Sequence, residues 1–193
     1  MTSADDDATV GYAFKASLIG TAHRFELTDE GVSWRIGARA GLWPYAEIAA
    51  VRLSYRPVSM QARRFRADIT HRSGARLSLI STSWQTATLV APQSEAYRRF
   101  VMALHAQLAA HRSQAVLTAG LGQTTYAAAL ALVALLGLAI AALFVRALLA
   151  GEWSGALFLV GFVALFAWQI GGFIVRNKPR SYTFADIPSG LLP

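Results

Sequence analysis

YAAALALVALLGLAIAALFV (residues 126–145) and WSGALFLVGFVALFAWQIGGFIV (residues 153–175) decide the architecture. Neither run contains an Asp, Glu, Lys or Arg. A helix rises about 1.5 Å per residue, so each run is long enough to cross a hydrocarbon core about 30 Å thick. Only residues 146–152 separate them, which leaves room for a tight turn and nothing more. The sequence therefore predicts an antiparallel transmembrane hairpin over 125–176, with spans at 126–146 and 153–175.

The flanks orient the hairpin. Arg112 precedes the first span, and Arg176, Lys178 and Arg180 follow the second, whereas the intervening loop balances Arg146 against Glu152. This Lys/Arg bias predicts that both termini are cytoplasmic, in a bacterial inner membrane. The opening MTSADDDATV has neither a basic nor an apolar region of the kind a cleaved signal peptide needs. The net charge is +7, and residues 1–120 carry 14 Lys and Arg against 9 Asp and Glu, a surplus of +5. A basic domain held at a membrane meets the anionic inner leaflet first, so membrane lipids are the expected partner and nucleic acid is not. The chain of 193 residues has no cysteine, which excludes disulfides, thiolate metal sites and a cysteine nucleophile.

Upstream of the hairpin the pattern is that of a β domain. Residues 1–19 are expected to be largely disordered. From there apolar and polar residues alternate: Phe25 and Leu27, then Val32, Trp34 and Ile36, then Val51, Leu53 and Tyr55, then Phe65, Ala67 and Ile69, then Leu77 and Leu79. Turn residues interrupt at 28–31, at Pro57 and at Ser73-Gly74. This period of two predicts six or seven antiparallel strands with one dry face. The period then lengthens. Pro92-Gln93-Ser94-Glu95 starts a helix over about 94–112, whose apolar stripe is Tyr97, Phe100, Val101, Leu104 and Leu108. Gly120-Leu121-Gly122, inside a linker at 113–124, is expected to act as a hinge.

An antiparallel set of short strands closed by one C-terminal amphipathic helix, over residues 20–112, resembles a pleckstrin-homology-like domain. The stretch FELTDEGVSWRIGARAGLWPYAEIAAVRLSYRP (residues 25–57) is similar to the first half of bacterial domains of that superfamily, which are often joined to a transmembrane hairpin. The resemblance implies an α+β fold, a barrel or sandwich of six to seven strands with its helix, and a binding habit rather than an activity. Lipid-binding eukaryotic relatives carry a basic cluster in the first hairpin. Here that region holds only the dispersed Arg24, Arg35 and Arg39, which argues against specific phosphoinositide recognition.

Three sets of residues are candidates for function. Arg52, Arg56, Arg63, Arg64, Arg66 and Arg72 are expected to form a face for anionic lipid or a partner, because guanidinium forks match phosphate. Gly137, Gly161, Gln169 and Gly171 are candidates for membrane helix contact, within the hairpin, in a homo-oligomer or with a membrane-protein partner. Tyr182, Phe184, Ile187 and Leu191 lie in the Pro-punctuated tail at 177–193, and their apolar character predicts that the tail docks on the sheet domain or on another protein. The four histidines lack metal-ligand spacing, and no nucleophile, phosphate-loop or dinucleotide motif is present. The expectation is a non-enzymatic, membrane-anchored binding, scaffolding or assembly module without cofactors. An auxiliary subunit of a larger membrane complex is the alternative, and a small channel or transporter is less favoured because its spans would need polar lining.

Overall fold

The structure is a computed structural model that describes residues 10–17, 19–57, 63–85 and 90–193. The chain divides into two compact units, Met1–Ala119 with Arg180–Pro193, and Gly120–Pro179.

The first unit is α+β. Four strands, β1 (Gly11–Lys15), β2 (Ala22–Leu27), β3 (Gly31–Ile36) and β4 (Arg39–Pro44), form an antiparallel meander in sequence order. The β2–β3 turn is closed by Thr28, whose hydroxyl accepts from the Gly31 amide and whose own amide donates to the Gly31 carbonyl. A Cβ at Gly31 would lie 2.2 Å from the Trp43 carbonyl oxygen, so the β3–β4 approach requires glycine there. After a single 3-10 turn at Tyr45–Glu47 the chain enters a second sheet. That sheet holds β5 (Ile48–Tyr55), β6 (Phe65–His71) and β7 (Arg76–Ile80). A hairpin of β8 (Thr82–Trp84) and β9 (Val90–Pro92) leads into helix α1 (Ser94–Ala110).

Burial follows the predicted periods. Phe25, Val32, Val51, Leu53, Ile69 and Leu79 point inward from the strands, and Tyr97, Phe100, Val101, Leu104 and Leu108 close over them from α1. The Tyr97 hydroxyl is buried with no acceptor among the described residues. An unpaired buried hydroxyl costs roughly 1–3 kcal/mol. Tyr97→Phe is therefore expected to raise stability by about 1 kcal/mol in a denaturation series. Tyr12→Phe is expected to lower it by a similar amount, because the Tyr12 hydroxyl donates to the Ile80 carbonyl at 2.7 Å.

Several expectations are corrected. The sheets do not close into a barrel: β1–β4, the β5 sheet and β8–β9 are separate ladders. Residues 11–15, expected inside a disordered segment, form β1, which buries Tyr12 and Phe14. The expected linker contains β10 (Val116–Ala119), which pairs with β5 in parallel, Thr118 opposite Arg52 and Ala119 opposite Leu53. Gly120, the first residue of the second unit, is closely packed within it. Its φ is +85°, and a Cβ there would lie 2.4 Å from the Asn177 carbonyl oxygen and 2.6 Å from that of Lys178. Helix α1 also ends two residues early, where Arg112 adopts a positive φ of 51°.

The tail completes the first unit. β11 (Arg180–Ser181) pairs antiparallel with β10, Ala119 opposite Arg180, so the second sheet runs β11-β10-β5-β6-β7 and is mixed. The second unit is two helices, α2 (Gln123–Leu149) and α3 (Trp153–Arg176), joined by a short turn containing Gly151 at φ +76°. Both are long and apolar enough to cross a membrane.

Candidate functional site

The second sheet positions the basic residues. The parity opposite to Val51, Leu53, Ala67 and Ile69 carries Arg52, which is exposed, and Ser54, which is buried, on β5, and the half-buried Arg66 and Asp68 on β6, with Arg52 opposite Asp68 and Ser54 opposite Arg66. The ladder continues one step past the strand ends: the Arg56 amide donates to the Arg64 carbonyl at 2.8 Å, and Arg64 Nε donates to the Arg56 carbonyl at 3.3 Å. Arg56 and Arg64 are therefore directly opposed on the face that also bears Arg66, and exposed Arg63 adjoins them. Burial, then the charges of Arg66 and Arg56, pull the Arg64 guanidinium below its ordinary value.

The other candidates in this set differ. Arg66 is neutralised by Asp68 at 2.8 Å and also donates to Ser78 Oγ at 2.9 Å, while the Ser78 hydroxyl donates to the same carboxylate. Arg52 turns toward β10, its Nε donating to Thr118 Oγ1 at 3.3 Å. Arg72 does not join the group. Period-two spacing places it with Arg64 and Arg66, but β6 ends at His71 and Arg72 lies in the following turn, about 26 Å along the strand direction from Arg64. Arg24 and Arg35 face each other across β2–β3, in an open groove of about 860 Å³ on the outside of the other sheet.

Strand polarity gives the cluster its place. Because β10 runs parallel to β5, the end of β5 that carries Arg56 points the same way as Ala119, where the chain leaves for α2. The chain returns at Arg180, opposite Ala119. Arg56, Arg63 and Arg64 thus lie at the end of the sheet from which the hairpin departs, while Arg72 and Arg76 lie at the other. Nothing in the composition of Val116-Leu117-Thr118-Ala119 signals this, since a parallel partner far along the chain leaves no local mark.

The tail residues lie against the first unit. Leu191 and Leu192 are buried, and Tyr182, Phe184 and Ile187 are half-buried. The Tyr182 amide donates to the Leu117 carbonyl at 3.2 Å, and Arg98 donates to the Pro193 carbonyl at 3.5 Å. Buried His105 organises the contact. Its Nδ1 lies 2.7 Å from the Val101 carbonyl and its Nε2 2.8 Å from the Tyr182 hydroxyl. A carbonyl only accepts, so Nδ1 carries the proton and Nε2 accepts from Tyr182. Tyr182 and Phe184 also pack their rings on the imidazole.

Burial lowers the His105 pKa from about 6.5, against a smaller opposing effect of the Val101 carbonyl, and it lowers that of His23 as well. Below the ordinary value the unfolded chain binds protons that the folded chain does not. Stability should accordingly fall as pH drops from about 6.5 toward the lowered values. Thermal melts of the detergent-solubilised protein are expected to show this slope, and His105→Gln should flatten part of it.

His71 forms a second polar constellation. The Ser73 amide donates to its Nδ1 at 3.1 Å, which places the ring proton on Nε2, 2.7 Å from Glu47 Oε2; Ser73 Oγ lies 2.8 Å from Nδ1. With Trp43 against the imidazole, this locks the β6–β7 turn to the 3-10 turn at Tyr45–Glu47. Among the described residues no group of three or more His, Asp or Glu could hold a metal ion.

In the second unit a Cβ at Gly137, Gly161 or Gly171 would meet nothing within 4 Å, so none of these glycines serves close contact between α2 and α3. An apolar groove of about 290 Å³ opens between the helices, with Gly137, Ile140, Phe166 and Gly171 on its walls. Gln169 is exposed on α3.

No protein-family model, curated protein or solved structure matches the chain.

Proposed function

We propose that this protein is a membrane-anchored binding or scaffolding module, held by a two-span hairpin at the inner leaflet of a bacterial membrane with both termini cytoplasmic. In this reading the β domain is pleckstrin-homology-like in plan, with its second sheet extended by β10 and β11, and acts by binding rather than by catalysis. The observation that carries it is the opposition of Ala119 and Arg180. A domain assembled from both sides of the hairpin requires both ends of that hairpin on one face of the membrane, which agrees with the Lys/Arg bias of the flanks. Two spans keep the domain at the surface, so weak contacts act at high effective concentration.

The alternative, an auxiliary subunit of a larger membrane complex, draws support from the open glycines of α2 and α3, which leave small-residue surface for a neighbouring helix. Extraction of tagged full-length protein in mild detergent, followed by native mass spectrometry, separates the two. The module reading expects the chain alone or as a homo-oligomer with bound lipid. One membrane protein retained at fixed stoichiometry would support the subunit reading instead.

A further inference from the structure

Arg56 and Arg64 stand opposite each other at the hairpin end of the second sheet, where like charges across a ladder repel. Arg66 has its carboxylate in Asp68, but among the described residues no carboxylate lies within ion-pair distance of Arg56, Arg63 or Arg64. Arg56 and Arg64 therefore bring two positive charges together with no carboxylate beside them among the described residues, Arg64 half-buried with its Nε already spent on the Arg56 carbonyl and exposed Arg63 next to it in the chain. Guanidinium forks bind phosphate oxygens in pairs, and an anion seated here would remove the repulsion the fold otherwise carries. The place of the cluster selects the source. The chain leaves this end of the sheet for the first span after Ala119 and re-enters it at Arg180, so the phosphates at highest local concentration belong to lipid headgroups.

We infer that Arg56, Arg63 and Arg64 form a binding site for the phosphodiester of an anionic lipid headgroup, drawn from the leaflet where the hairpin begins and ends. This deepens the membrane-anchored reading above and rests on it. The site lies wholly within the first unit. Arg66 contributes less than its sequence position suggests, because Asp68 and Ser78 already hold it, and Arg72 contributes nothing.

The test is native mass spectrometry of the full chain in a neutral detergent, titrated separately with phosphatidylglycerol, phosphatidylcholine and inorganic phosphate. Phosphatidylglycerol is expected to bind more tightly than phosphatidylcholine. The double change Arg56→Glu/Arg64→Glu is expected to weaken it about tenfold or more, at roughly fivefold per arginine near an anionic surface. Arg72→Glu/Arg76→Glu makes the same charge change at the other end of the sheet and should leave binding within about twofold. Should the glutamate pair fail to melt cooperatively, Arg56→Gln/Arg64→Gln supplies the comparison with less repulsion. Equal binding of the two lipids, equal losses in both double variants, or occupancy by inorganic phosphate as readily as by phosphatidylglycerol would each overturn the site. Those results leave the anchored module standing. That reading fails separately, if a loop cysteine at Ala150 reacts from the same side of the membrane as the β domain.

Discussion

Ending the chain after Ser181 is expected to abolish cooperative unfolding of the β domain. The deleted residues include Leu191 and Leu192, both buried, and Tyr182, whose hydroxyl is the partner of His105 Nε2. Removing a buried leucine side chain costs roughly 2–5 kcal/mol, so losing two approaches the whole stability of an ordinary domain, about 5–15 kcal/mol. The point variant Leu191→Asp should have nearly the same effect with the chain length kept. Limited proteolysis of the detergent-solubilised protein is the direct assay: the β domain is expected to be digested while the hairpin, shielded by the micelle, persists. A truncated chain whose domain resisted protease like the full-length protein would show that the tail is not part of the fold.

Gly120→Val is expected to be severely damaging although it lies outside the hydrophobic core. The added side chain would meet the backbone carbonyls of Asn177 and Lys178 at under 3 Å, at a φ that L-residues rarely adopt. Backbone cannot yield as a side-chain tip can. The Leu121 amide, two residues beyond Ala119, should lose its bond to the Asn177 carbonyl. A loss of about 3 kcal/mol or more is expected in a denaturation series, combining left-handed strain with a lost hydrogen bond and displaced strands. Gly74→Val is the control. Its φ of +86° is equally left-handed, but nothing lies within 4 Å of a Cβ there, so it should cost about 1–2 kcal/mol of strain and no more. Equal losses at the two positions would refute the crowding argument at Gly120.

Much of this was legible in the sequence wherever one period dominates locally. Uninterrupted apolar runs marked α2 and α3 to within three residues. Alternation marked β2, β3, β5, β6 and β7, because a strand buried on one face must repeat every second residue. The stripe on α1 was readable for the same reason at a period near 3.6. What escaped depends on contacts between distant segments. β1 carries Tyr12 and Phe14 in the right alternation, but it follows an acidic opening that reads as a free end. β10 is four residues long and takes its identity from β5, more than 60 positions away.

The candidate site was legible by composition and not by position. Counting in twos grouped Arg72 with Arg64 and Arg66, because counting cannot see that β6 stops at His71. The pairing of Arg66 with Asp68, two residues apart on one face, was accessible to the same counting. The opposition of Arg56 and Arg64 was not, since it depends on where the ladder between β5 and β6 is set. The apolar tail residues signalled docking, but the buried His105 that receives Tyr182 could not be distinguished from any other helical histidine.

Side-specific cysteine labelling reads the topology of the hairpin, and the chain supplies a clean background because it has no cysteine of its own. Single variants Ala75→Cys in the β6–β7 turn, Ser189→Cys in the tail and Ala150→Cys in the hairpin turn would be expressed in a bacterium. Each would then be treated with a membrane-impermeant maleimide in sealed right-side-out vesicles, before and after permeabilisation. Ala150→Cys is expected to react in sealed vesicles, while Ala75→Cys and Ser189→Cys react only once the membrane is opened. Reaction of all three from the same side, or of Ala75→Cys and Ser189→Cys from opposite sides, would contradict a domain assembled around a two-span hairpin.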